Sequence, residues 1–135
     1  MAYVWNKDLE TGNSLIDTQH QQLIKAVNDL LAACSSGQGR DALDNTLNFL
    51  ESYTAKHFGD EEKLQIQYQY PDYMNHKSLH EGFKKFVSDI AIQIKKDGPT
   101  ATLISKVTFG VGDWLITHIK KEDTKVAGHI RSKEK

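Results

Sequence analysis

"HKSLHEGFKKFVSDIAIQI", residues 76–94, decides the fold of this 135-residue chain. His76, Leu79, His80, Phe83, Val87, Ile90 and Ile94 recur at spacings of three and four, the stripe of an amphipathic helix. Two histidines open the stripe at i and i+4, which sets their rings on one face roughly 6 Å apart. That separation suits two ligands of one ion. "YQYPDY" (68–73) precedes the stripe and breaks any helix before it, because Pro71 lacks an N–H and restricts Tyr70. "KKDGP" (95–99) closes it.

The same period runs outward in both directions. Upstream, His20, Leu23, Ile24, Val27, Leu30, Leu31 and Cys34 form one stripe, with Asp17 as its expected N-cap and "SSGQG" (35–39) as its stop, Gly37 and Gly39 supplying the turn. Leu43, Leu47, Leu50, Thr54, His57, Glu61 and Leu64 form a second. Downstream, Leu103, Ile104, Val107, Val111, Trp114, Leu115 and His118 form a fourth. No convincing alternating strand pattern, repeat or low-complexity tract interrupts them. The expectation is one all-α domain over 1–135, an up-down-up-down four-helix bundle. Its helices should run over about 18–36, 40–65, 73–96 and 100–121, after an N-terminal arm (1–13). The tail "VAGHIRSKEK" (126–135) should add no more than a short C-terminal turn ending in solvated charge.

Composition narrows the function classes. A formal net charge of -1 with 26% charged residues gives no footprint for nucleic acid and no basic face for an anionic membrane. No stretch approaches the ~18 to 20 apolar residues of a membrane span. "MAYVWNKDLETG" (1–12) does not read as a signal peptide. The single cysteine, Cys34, rules out an internal disulfide and thiolate-rich zinc sites, and reads as a small buried apolar residue. A soluble, cytoplasmic protein is expected.

Five of the six histidines, His20, His57, His76, His80 and His118, fall on the apolar stripes and are spread over all four helices. Burying five imidazoles without partners would cost several kcal/mol; a shared metal satisfies them together. His57 and Glu61 are also i,i+4, so an imidazole and a carboxylate project side by side. This donor set suits zinc, iron or copper rather than magnesium or calcium. It exceeds the four ligands of a structural zinc site, so two ions with bridging carboxylates are the economical solution. Ferritin-like sites need Glu-x-x-His pairs, and no Glu stands three residues before any His here. A two-histidine haem would leave three imidazoles unexplained. His129, in the charged tail, reads as surface, and Glu62, one position off the buried face, as solvated. In "HIKKED" (118–123) regular helix geometry favours Glu122, one turn beyond His118, as the acidic partner.

Ordered motifs cover nearly the whole chain: W-x6-G-x3-I-D-x-Q-H at Trp5, Gly12, Ile16, Asp17, Gln19 and His20; H-F-x-x-E-E at 57–62; Tyr70 and Pro71 followed by H-x-x-x-H-x-x-F at His76, His80 and Phe83; and W-L-x-x-H-I-x-x-x-D at 114–123. Together they make the chain resemble a hemerythrin domain of the bacterial kind. The resemblance implies a non-haem di-iron centre, oxo- or hydroxo-bridged, that binds O2 reversibly. His76, His80 and His118 would hold one iron and His20 and His57 the other, with Glu61 and Asp123 bridging. The iron with two histidines would keep a position for O2, and for small anions. Leu23, Phe58, Trp114, Leu115 and Ile119 would wall that O2 pocket.

Asp123 rather than Glu122 as the bridge requires the last turn to widen, so that an i+5 residue swings back to the centre and Glu122 faces solvent beside Lys120 and Lys121. Gln65 stands where many relatives carry methionine; it is expected to alter pocket shape and to touch none of the seven ligands. Members of the family occur both as O2 carriers or stores and attached to chemotaxis receptors as sensing domains. Turnover of peroxide or nitric oxide at the same centre is the enzymatic alternative; a binding protein, not an enzyme, is the expectation.

Overall fold

The first helix is started by Asn13, whose side chain accepts from Ile16 N at 3.0 Å, the hydrogen bond an N-cap supplies. In the computed structural model, which describes residues 3–35, 40–98 and 100–134, this helix, α1, spans Ser14–Ser35. Asp17 is therefore not the N-cap. It lies in the first turn and folds back over the arm, accepting from Thr11 N (2.9 Å), Thr11 Oγ1 (2.7 Å) and Gly12 N (3.3 Å). Three donors in the arm outcompete the helix end for its carboxylate.

Helix α2 spans Arg40–Gln67 and α3 spans Tyr73–Asp97. The turn between them is tight: Tyr70 N donates to Gln65 O at 2.8 Å, and Gln69 takes a left-handed φ of 54°. After α3, Gly98 (φ 82°) caps the helix through a bond from its N–H to Ile94 O. The expected turn glycines Gly37 and Gly39 and the expected stop Pro99 lie outside the described residues, as does the side chain of Leu43.

The fourth helix starts with Thr100 accepting from Leu103 N, and runs as α4 (Ala101–Lys106), α5 (Asp113–His118) and α6 (Thr124–Glu134). Two π turns, Val107–Gly112 and Ile119–Asp123, join these without a break. It packs on α3 and α1, which closes a four-helix bundle around Leu23, Val27, Leu30, Leu47, Leu50, Ile90, Ile94 and Val107. The stripe positions read from the sequence supply this core, with Cys34 buried as expected. Among the described positions, Leu64 packs elsewhere, against the C-terminal tail, and Leu79, at 36% exposed, borders a groove between α3 and the fourth helix.

The C-terminal tail departs most from the reading. It is an eleven-residue helix with Val126, Ala127 and Ile130 buried; Val126 and Ile130 pack with Ile16 against Leu64, Tyr68 and Tyr70. His129 is half-buried rather than freely solvated: its ring nitrogen lies 2.6 Å from Tyr68 O. Arg131 Nη1 donates to Thr11 O, tying the tail to the arm. Short apolar pairs between charges hid this second, small core. Ile130→Ala is therefore expected to lower stability by about 2–4 kcal/mol, read as a fall in the urea midpoint; an unchanged midpoint would mean the tail is as solvated as its composition suggests.

Candidate metal centre

Each helix delivers its polar side chains to one level of the bundle. His20 comes from α1, His57 and Glu61 from consecutive turns of α2, and His76 and His80 from consecutive turns of α3. His118 ends α5 and Asp123 ends the second π turn. All seven are at most 4% exposed. In the π turn, Thr124 N donates to Ile119 O, five residues back, so the helix gains a residue per turn. The i+5 residue Asp123 thereby returns to the face of His118, with its Oδ1 3.1 Å from His118 Nε2. Glu122 does not face solvent as expected. Its side chain is only 14% exposed, 4.0 Å from Lys125, in a groove it shares with Asn75, Thr117 and His118.

The two carboxylates divide their oxygens between two groups of histidines. Glu61 Oε1 lies 2.7 Å from His76 Nε2 and 3.3 Å from His80 Nε2, whereas its Oε2 lies 3.5 Å from His57 Nε2 and 3.9 Å from His20 Nε2. Asp123 Oδ1 lies 3.1 Å from both His76 and His118, and its Oδ2 lies 2.8 Å from His20. The donor atoms of Glu61, His76, His80, His118 and Asp123 fall within 4.8 Å of one another, and so do those of His20, His57, Glu61 and Asp123. These are two ligand sets sharing two carboxylates.

The donors fit metal ions better than they fit each other. The Nε2 atoms of His76 and His80 lie 3.2 and 3.3 Å from His118 Nε2, and three nitrogens at that distance cannot all find protons to share. His20 Nε2, His57 Nε2, Glu61 Oε2 and both Asp123 oxygens are buried without a hydrogen-bond partner, a cost that a positive ion removes. Charge follows the same division. Burial, with His20 beside it, outweighs the pull of Glu61 and lowers His57 to about 4. Burial alone would lower His76 too, but the carboxylates of Asp123 and Glu61 beside its ring outweigh burial and raise it to about 9. Against burial and their mutual repulsion, the surrounding imidazoles hold Glu61 and Asp123 below the ordinary carboxylate range.

Aromatic rings brace the histidines. Phe58 stacks on His80 at 3.7 Å and 1°, and Trp114 stacks on His118 at 4.5 Å and 11° and on Phe83 at 4.0 Å. Leu23, Leu115 and Ile119 are buried in the main core.

Three further residues touch the ligand sets. Gln19 Oε1 lies 2.8 Å from His57 Nδ1 and Glu62 Oε2 lies 2.9 Å from His80 Nδ1. Glu62 is thus not the solvated acid that its position off the face suggested, because α3 passes close enough for His80 to reach it. Gln65 is fully buried, and its amide donates to Glu61 Oε1 at 3.4 Å; it does contact one of the seven expected ligands. Helical spacing offered a signal for Gln65, one turn beyond Glu61. Gln19 and Glu62 adjoin ligand positions in the chain but act through neighbouring helices.

For the metal-free chain these shifts set a pH optimum. A neutral His57 favours the fold above its free value of 6.5, and that contribution is lost as pH falls towards 4. A charged His76 favours the fold below 6.5, and that contribution is lost as pH rises through about 9. Urea midpoints of metal-free protein should peak near pH 6.5. A midpoint climbing steadily to pH 9 would contradict this balance.

Residues 11–130 match the sequence profile of the hemerythrin HHE cation-binding domain. The chain is 31% identical to the bacteriohemerythrin of Stenotrophomonas maltophilia, over 96% of its own length and 82% of that protein's. It is 33% identical to the myohemerythrin of Sipunculus nudus, over 95% of its length and 93% of that chain's. A crystal structure of a hemerythrin point mutant superposes with a TM-score of 0.84 at 26% identity, covering 96% of this chain and 98% of the other. A four-helix bundle that gathers five histidines and two carboxylates into two shared ligand sets, and that matches this profile over nearly its whole length, belongs to the hemerythrin family.

Proposed function

We propose that this protein binds O2 reversibly at a non-haem di-iron centre, in the role of an oxygen carrier or store or of an oxygen-sensing domain. The observation that carries this reading is the division of the two carboxylates: Glu61 directs one oxygen to His76 and His80 and the other to His57 and His20, and Asp123 directs one to His76 and His118 and the other to His20. His76, His80 and His118 would hold one iron and His20 and His57 the other, with Glu61 and Asp123 common to both sets. The His20–His57 set offers one imidazole fewer than the other, so an ion held there would be the one left with room for O2 or a small anion. Iron bound there in its ferrous form would supply the electrons that reversible O2 binding requires.

The chain's own groups do the rest. Glu61 and Asp123 are held anionic and so offset part of the charge of two cations. Phe58 and Trp114 clamp His80 and His118 in plane, which fixes the direction of their Nε2 lone pairs. Leu23, beside His20 on α1, with Leu115 and Ile119 on the fourth helix, lies in dry core. In the proposed O2 pocket these side chains, with Phe58 and Trp114, exclude the water and anions that would displace bound O2. Such walls favour binding over turnover of peroxide or nitric oxide. No described helix is long and apolar enough to cross a membrane; we place the protein in the cytoplasm, free or as the cytoplasmic part of a larger receptor.

Anaerobic iron titration followed by O2 is the direct test. Two irons per chain and a visible absorption band that disappears when O2 is removed are expected. Saturation at one metal, or repeated turnover without loss of iron, would overturn the reading. Asp123→Ala is expected to retain no more than one tightly bound iron, and Glu122→Ala to retain two. The reverse outcome would reject the bridging role of Asp123.

A further inference from the structure

Two histidines of the centre are backed from the far side of the ring, and the groups behind them differ in charge. Behind His80 stands a carboxylate: Glu62 Oε2 lies 2.9 Å from His80 Nδ1. Behind His57 stands a neutral amide: Gln19 Oε1 lies 2.8 Å from His57 Nδ1. A carboxylate can only accept, so His80 carries its proton on Nδ1 and turns the Nε2 lone pair inward. Gln19 reaches the same result indirectly. Its Nε2 donates to Asp60 Oδ2 at 2.8 Å, and Asp60 is held in turn by Lys56 Nζ at 2.8 Å. Lys56 and Gln19 both favour the charged form of Asp60 and lower its pKa. With the amide N–H engaged there, Oε1 must face His57, which again places the ring proton on Nδ1.

We propose that Glu62 and Gln19 are positioning residues that make the two metal positions unequal: the charged acceptor behind His80 strengthens the three-histidine side as an electron donor, and the neutral acceptor behind His57 leaves the two-histidine side weaker. The proposal rests on the di-iron reading above. A hydrogen-bonded carboxylate raises the basicity of a ligating imidazole more than an amide does, because its charge lets the Nδ1 proton lean outward. The three-histidine iron is then the one more easily held ferric. The two-histidine iron, where an open position is expected, stays more readily ferrous.

Glu62→Gln keeps size and an acceptor while removing the charge. Gln19→Glu with Asp60→Asn moves a charge from position 60 to position 19 and keeps the amide–carboxylate pair, so that two carboxylates do not meet. Once two irons are loaded, Glu62→Gln is expected to raise the midpoint potential and the double variant to lower it. Mössbauer spectra should show each change on a different iron. Iron affinity is expected to fall roughly 10- to 100-fold in Glu62→Gln.

Shifts of the same sign in both variants, or no shift in either, would overturn the inference while leaving two-iron loading intact. Failure of the unaltered protein to load two irons would instead overturn the di-iron reading, and this inference with it. A readout independent of iron comes from 15N NMR of the metal-free chain. His57 and His80 are expected as Nδ1–H tautomers, and an Nε2–H signal from either would overturn the positioning role.

Discussion

The structure turns on a conflict at the centre of the bundle: two carboxylates and five imidazoles occupy a space from which water is excluded. Apolar packing alone would not tolerate that, since a buried polar group without a partner costs about 1–3 kcal/mol. The helices around it are therefore arranged to give each donor atom a defined direction. Rings stack on His80 and His118, an amide and a carboxylate back His57 and His80, and Gln65 reaches Glu61. The remaining mismatch, with ring nitrogens facing one another and carboxylate oxygens lacking hydrogen bonds, is one that cations resolve.

That demand explains why the fourth helix is irregular. A regular α-helix from Ala101 onward would present Glu122, not Asp123, on the face of His118. The π turn over Ile119–Asp123 corrects the register and then delivers α6 so that Val126 and Ile130 meet Ile16. The earlier π turn, Val107–Gly112, sits where the N-terminal arm crosses. Tyr3 Oη lies 2.7 Å from Thr108 O and 2.8 Å from Asp113 Oδ1, and Asn28 clasps the Tyr3 backbone at both N and O. Its two glycines each make room for an aromatic ring. A Cβ on Gly112 would fall 2.4 Å from the Tyr3 ring, and one on Gly110 would fall 2.3 Å from Phe86. Burial and Asp113 push the Tyr3 phenol up to about 12, so at neutral pH it has a proton to donate.

The sequence disclosed the bundle and the residues gathered at its centre because both are written in one period. Residues that share a helical face share a destination, and the histidines lay on the same stripes as Leu47 or Ile90. What it did not disclose depends on contacts between helices or on departures from regular geometry. Regular spacing pointed to Glu122, and only motif resemblance pointed to Asp123. Glu62 looked solvated because its helix turns it off the stripe, yet His80 comes to it from α3. The tail looked soluble because Val126 and Ile130 are too few to make a stripe by themselves. They become core only because Tyr68, Tyr70 and Leu64 wait at the end of α2. The first π turn left no periodic signature other than the two glycines it requires.

The outer residues also explain why adjacent positions in the chain carry opposite duties. In "QH" at 19–20 and "EE" at 61–62, one residue of each pair belongs to the ligand sets and its neighbour backs a histidine from another helix. Neighbours on a helix diverge by about 100°, so a single turn can place one side chain at the centre and the next against the flank of an adjoining helix. Glu61 thus reaches inward from the face that also carries His57, while Glu62 reaches across to α3. His57 on α2 and His80 on α3 are then each steered by a residue from a neighbouring helix. Precision at the centre is in this way a property of helix pairs: α1 steers α2 through Gln19, and α2 steers α3 through Glu62. A shift of either interface would misdirect a ligand lone pair before it opened the core.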